Sequence, residues 1–195
     1  MKLKKCILST FVLLGAMTML TGCGGEEATT DKVAVCKSKE SYDVRYRYEF
    51  KLNEDEKHID EIKFIQTVNE ENIKKVYPDK DLEETYKAFK DDMMWQYQTY
   101  VEGNENLAWF KGKIETNDEE HFAQLTFAFD TSNENLDVND DDTVNFLAQF
   151  GVNMFYNQDE KAFLYDEDEF IKKAPLNGIY KVGCEVKEVE KTEEK

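Results

Sequence analysis

Between Tyr42 and Leu52 apolar and polar residues alternate without a break. Val44, Tyr46, Tyr48, Phe50 and Leu52 fall on one side, and Arg45, Arg47, Glu49 and Lys51 on the other. A period of two belongs to a half-buried β-strand. Asn53-Glu54-Asp55-Glu56 reads as a turn, and His58 to Val68 as a second strand with Ile62, Phe64 and Val68 on one side. Together they predict a hairpin. Asn69 to Asp79 contains Pro78 and reads as a connection. The period then lengthens: Leu82, Tyr86, Phe89, Met93, Tyr97 and Tyr100 recur in steps of three and four, which predicts a helix over Asp81 to Glu102. Asp79 or Asp81 can cap its start, Glu83 and Glu84 suit the positive end of its dipole, and Gly103 can end it.

No internal repeat is present, though the order hairpin, helix, hairpin has some symmetry of shape. Leu107 to Glu115 and His121 to Asp130 predict a second hairpin, with Ala108, Phe110, Ile114, Ala123, Leu125, Phe127 and Phe129 inward. Thr131 to Asp142 is an acidic loop. Val144, Leu147, Ala148 and Val152 predict a helix from Asp142 to about Phe155, and Asp166-x-x-Glu169 opens a short helix to Lys173. Pro175-Leu176-Asn177-Gly178 turns into a last strand, Ile179 to Val186. The expected fold is α+β: an antiparallel sheet of about five strands, one long helix packed on one face, and short C-terminal helices.

The first residues obey a different logic. Lys2, Lys4 and Lys5 precede a short apolar run from Ile7 to Leu20, then Thr21 and Gly22 lead to Cys23. This is the layout of an export signal, and the run is shorter than the roughly 20 residues that span a bilayer. Leu20-Thr21-Gly22-Cys23 resembles the bacterial lipoprotein consensus. The resemblance implies cleavage after Gly22 and a diacylglycerol on Cys23, which would anchor the chain to the cell membrane on its extracytoplasmic side. The expected organisation is a signal peptide over 1–22, a flexible tether over 23–32, one domain over 33–187 and a charged tail over 188–195.

Charge narrows the partners. The chain has 42 acidic against 25 basic residues, a formal charge of -17, and three of the lysines lie in the signal. Nucleic acid and anionic headgroups should repel such a surface, so the membrane is reached through Cys23 and not by electrostatics. Of four cysteines, Cys36 and Cys184 remain near the two ends of the domain. They are either a bridge or two buried thiols; export favours the bridge, which would place their Cα atoms within about 7 Å.

With the lipobox, the Tyr46-Arg47-Tyr48 hairpin, an acidic-start helix, a second hairpin and a short C-terminal helix in view, the mature chain resembles the small YehR-type bacterial lipoproteins of unknown function. The resemblance implies a compact α+β domain and carries over no catalytic residue.

No chemical motif stands out. Asp137-x-Asn139-x-Asp141 lacks the glycine and glutamate of an EF-hand, since Asp142 and Ala148 occupy those positions. His58 and His121 read as exposed, and no nucleophile elbow, phosphate loop or zinc motif occurs. We therefore assign no catalytic residue, no metal ligand and no cofactor. The alternation instead points the chain's two arginines, Arg45 and Arg47, away from the core, where Lys51, Lys63, Lys111, Lys113 and an exposed Trp109 can join them. Arginine reads carboxylate or phosphate through paired hydrogen bonds. The expectation is a membrane-anchored, non-enzymatic binding or envelope-associated module for an anionic envelope glycan or protein. The alternatives are an envelope hydrolase using carboxylates and a small transporter-associated binding protein. On the opposing view, Glu49, Glu61 and Glu115 simply pair with these bases across strands.

Overall fold

Strand β2 (Arg45–Leu52) and strand β3 (Ile59–Val68) form the expected hairpin at the centre of a six-stranded antiparallel sheet. The computed structural model describes residues 30–38, 44–173 and 182–190. The remaining sheet strands are β1 (Thr30–Ser38), β4 (Phe110–Asn117), β5 (Phe122–Asp130) and β8 (Val182–Glu190), in the order β4-β5-β3-β2-β1-β8. A separate pair, β6 (Tyr156–Asn157) and β7 (Ala162–Phe163), lies between helices.

Helices α1 (Glu70–Val76) and α2 (Leu82–Tyr100) join β3 to β4; α3 (Asp141–Gln149) and α4 (Glu167–Lys173) follow β5. Each starts as its sequence directs. Asp81 accepts from the Glu84 N–H at the start of α2, Asp140 from the Thr143 N–H at the start of α3, and Asp166 from the Glu169 N–H before α4.

All four helices bring their apolar residues to the same side of the sheet. There Ala34, Cys36, Tyr48, Phe50, Ile62, Phe64, Leu125, Phe127 and Phe129 meet Ile73, Tyr86, Met93, Leu147, Phe150 and Phe170. Phe150 is the hub, with ring centroids 4.8 Å from Phe127, 5.2 Å from Phe129 and 5.1 Å from Tyr100. Its carbonyl accepts the buried Tyr48 hydroxyl at 2.8 Å, so the one polar atom of that ring is satisfied.

Several boundaries differ from expectation. Thr30–Lys32 belongs to β1 and not to a tether, and β8 runs on to Glu190 through the stretch expected as a tail. Both follow from one ladder, paired in register from Thr30↔Glu190 to Ser38↔Val182, which needs backbone and not apolar side chains to extend. Residues Asn69 to Asp79 hold α1, capped by Asn69 accepting from the Asn72 N–H at 2.9 Å. Helix α2 ends at Tyr100, whose carbonyl accepts from Asn104 Nδ2 at 2.9 Å, before Gly103 is reached. The helix expected to reach Phe155 breaks at Gly151, whose φ of 69° is left-handed, and resumes as a single 3₁₀ turn. Cys36 and Cys184 are directly opposite in the β1–β8 ladder and bonded, with Cα atoms 4.0 Å apart. Residues 1–29, including Cys23, lie outside the described residues.

Candidate functional site

Because every described helix returns to one side, the other side of the sheet is open. Strand register converts it into rows, read from β8 across to β4. One row is Lys187, Val33, Lys51, Glu61 and Asp130. The next is Glu185, Val35, Glu49, Lys63, Ala128 and Lys111, and the next Gly183, Lys37, Arg47, Ile65, Thr126 and Lys113. Arg45 and Thr67 stand one row further on, with Gln124 and Glu115. The expected gathering of Arg47, Lys63, Lys111 and Lys113 on one face is thus present, and Arg45 lies at its margin.

Val35 and Ile65 are only 8% and 3% exposed on this face, although no described helix covers it. Long basic side chains can cover apolar neighbours with their stems, and Arg47, beside both residues in the ladder, has its Nε buried. A depression of about 680 Å³ crosses the β1–β2–β3 part, lined by Val33, Val35, Lys37, Arg47, Glu49 and Lys63 among others. A second, of about 540 Å³, lies over β3, β5 and β4.

The bases are paired, but chiefly along a strand and not across strands. Arg47 Nε is 3.0 Å from Glu49 Oε1, Lys63 Nζ 3.1 Å from Glu61 and Lys113 Nζ 2.8 Å from Glu115. Side chains two residues apart share a sheet face, so these pairs are built in by the sequence. Across strands, Lys51 Nζ lies 2.9 Å from Asp31, and that contact, ahead of the opposing effect of burial, raises the lysine pKa. Arg45 Nη2 reaches Glu71 on α1 at 3.8 Å. Nε of Arg45 and of Arg47 is buried without a well-aligned hydrogen-bond acceptor among the described residues, so the Arg47–Glu49 contact is Coulombic rather than a good hydrogen bond. Lys111 has no ion-pair partner among the described residues.

Trp109 corrects the expectation most sharply. It is 3% exposed, with its ring 5.8 Å from Phe146 on α3 in an edge-on contact. β4 starts only at Phe110, so alternation does not govern residue 109. Ala108, expected inward, is exposed for the same reason. Trp109 walls the second depression but offers no free face for stacking.

A β-bulge opposite Lys51 and Leu52 shifts the start of β3, where Leu52 faces Ile59 and Lys51 faces Glu61. Asp60 is the extra residue, and it lines the second depression beside Glu61 and Asp130. Burial is the main cause that pushes the Asp60 carboxyl above its usual range; Lys51 opposes it, and Asp130 and Asp31 add to it. Asp130 is committed elsewhere, accepting from the Ser132 hydroxyl at 2.8 Å and the Asn133 amide at 3.3 Å.

Other candidates resolve into structure. His58 contacts Asp55, whose carboxyl is held at about 2, chiefly by the backbone N–H groups of His58 and Lys57. His121 is not fully exposed: it sits between Glu83 at 2.9 Å and Glu70 at 3.5 Å, with its side chain 18% exposed. In the acidic loop Asp137 accepts from Asn139 N–H, and Asp140 caps α3. Among the described residues no three His, Cys, Asp or Glu side chains are arranged to hold a metal ion. No described helix is long and apolar enough to cross a membrane. The sequence reading missed Lys37, Lys187, Val33 and Val35 on the open face. Alternation of Val33 and Val35 with Ala34 and Cys36 was the available signal.

No protein-family model and no curated protein matches the chain. Among solved structures it is similar to the NMR structure of a protein from Streptococcus pneumoniae TIGR4, with a TM-score of 0.42 and 14% identity over 95% of this chain and 99% of that one.

Proposed function

We propose that the chain is a lipid-anchored extracytoplasmic module that binds an anionic component of the cell envelope through the open face of its sheet. The observation that supports this most is the face itself. On a chain with 42 acids and 25 bases, both arginines and five or more lysines share one surface that no described helix covers. Their ion pairs are partly exposed, and such pairs are each worth about 0–1 kcal/mol, so exchanging a protein carboxylate for one on a partner costs little. The lipobox at Cys23 supports the anchor, and the Cys36–Cys184 bridge suits an oxidising compartment.

The hydrolase reading is weaker. A pair of catalytic carboxylates needs both groups free to move a proton. Asp60 has the raised carboxyl such a role wants, but its neighbour Asp130 is held by Ser132 and Asn133.

Co-sedimentation of the detergent-solubilised full chain with isolated envelope fragments tests the proposal. Arg47→Glu with Lys63→Glu is expected to lower binding at least tenfold, and added salt to weaken the wild type. Lys87→Glu, on the exposed side of α2, is expected to change nothing. Equal binding by all three proteins would overturn the reading.

A further inference from the structure

In the row Lys63–Ala128–Lys111 a single methyl group separates two lysines. Neighbouring strands lie about 4.8 Å apart, so the two lysine stems rise about 10 Å from each other with nothing tall between them. That gap is the floor of the 540 Å³ depression, whose size falls within the roughly 300–1,000 Å³ of small-ligand sites. The adjoining row carries Glu61, with Asp60 brought alongside by the bulge.

The depression is therefore two-sided. One side offers ammonium donors, of which Lys111 has no ion-pair partner among the described residues; the other offers the Asp60 and Glu61 carboxylates, with Lys51 beside them held by Asp31 at 2.9 Å. Lys63 Nζ is paired with Glu61 Oε1 at 3.1 Å, so the ammonium without a partner among the described residues is Lys111, two strands and one row away from Glu61, about 12 Å between backbones. A pyranose ring with a substituent at each end can bridge the shorter distance between the two side-chain ends, whereas the charges of an α-amino acid lie too close together. A purely anionic ligand would face Asp60 and Glu61 with no donor to offer them. Trp109, at 3% exposure, gives no ring face for stacking, so recognition must be polar.

We propose that this depression binds one hexose ring bearing a single anionic substituent, a carboxylate or a phosphate, with Lys63 and Lys111 on the anionic group and Asp60 and Glu61 accepting from ring hydroxyls. The proposal rests on the open face being the working surface.

Isothermal titration of the detergent-solubilised full chain with glucuronate, glucose 6-phosphate, glucose and inorganic phosphate tests it. At least one of the two sugar acids is expected to bind with a Kd on the order of 1 mM or tighter, and which of them binds tells carboxylate from phosphate. Glucose and inorganic phosphate are expected to bind at least tenfold more weakly. Lys111→Gln, which removes charge, and Ala128→Leu, which fills the floor, should each cost tenfold or more. Lys87→Gln, on the exposed side of α2, should cost nothing. Binding of neither sugar acid, equal binding of glucose, or insensitivity to Lys111→Gln would overturn the proposal. If envelope fragments still bind in an Arg47- and Lys63-dependent way while the sugars do not, the broader reading stands and this one alone falls.

Discussion

Gly112 carries no side chain at the point where the chain leaves α2 and passes over β4. A Cβ built there would lie 2.2 Å from Cγ2 of Val101, so the close approach of that turn to the strand requires glycine. Gly112 pairs with Phe127 on the core side, where Val101 packs against the apolar cluster and has little room to yield. Gly112→Ala is expected to cost about 1–3 kcal/mol, the range for overpacking a dense core. Val101→Ala in the same chain should recover part of that loss. Urea denaturation of the two variants checks this, and a neutral Gly112→Ala would refute the steric account. Trp109 makes the complementary point. A residue next to a strand takes its direction from the local turn, and Phe146, thirty-seven positions later in the chain, gives its ring a place inside.

The element that depends most on covalent help is β8. Among the described residues it lies at an edge of the sheet and pairs only with β1; Val186 and Val189 are 50% and 46% exposed. An edge strand with so little buried surface is easily lost. The Cys36–Cys184 bridge, with a sequence separation of 148, is worth about 4–5 kcal/mol in the chain-entropy model. Cys36→Ser with Cys184→Ser is expected to lose several kcal/mol. In hydrogen exchange, β8 amides should lose protection first while β2, β3 and β5 keep theirs; uniform loss would show that the bridge holds the whole domain rather than this strand. Both hairpins and α2 were legible in the sequence because each writes a period or a cap into neighbouring residues, whereas the bridge was favoured over two buried thiols only by the expected export. β8 was legible only in part and β1 was not read as a strand, since their ladder consists of backbone bonds between opposite ends of the chain, and Lys32, Glu185 and Lys187 carry no burial signal. The face holding Arg47, Lys63, Lys111 and Lys113 could be read from alternation alone. The gap over Ala128 could not, because it needs the pairing of β5 with both neighbours and the bulge at Asp60.

At the scale of the whole molecule, Tyr48, Tyr86 and Tyr165 among the described residues have their phenol pKa raised, and burial is the main cause for each. Tyr48 and Tyr86 are pushed well up, and Tyr165 to about 12 from an ordinary 10.0. A raised phenol stabilises the fold fully below the unfolded value. For Tyr165 that contribution is lost as pH climbs from 10 through about 12. The urea midpoint should fall over this window, with the buried tyrosines lagging the rest in an absorbance titration. Tyr165→Phe should flatten part of the fall, and a flat midpoint in the wild type would contradict the linkage. The placement of β1 has a mechanical side as well. It begins at Thr30, next to the proposed anchor, and lies between β2 and β8, not at an edge. Antiparallel hydrogen bonds run perpendicular to the strands. A pull along the leash would therefore load two ladders in shear, all at once, and the bridge at the far end of the strand rivets it to its neighbour. If the chain is held at its N-terminal end, any pull passes through that one strand, and its strongest line is the one that takes the load.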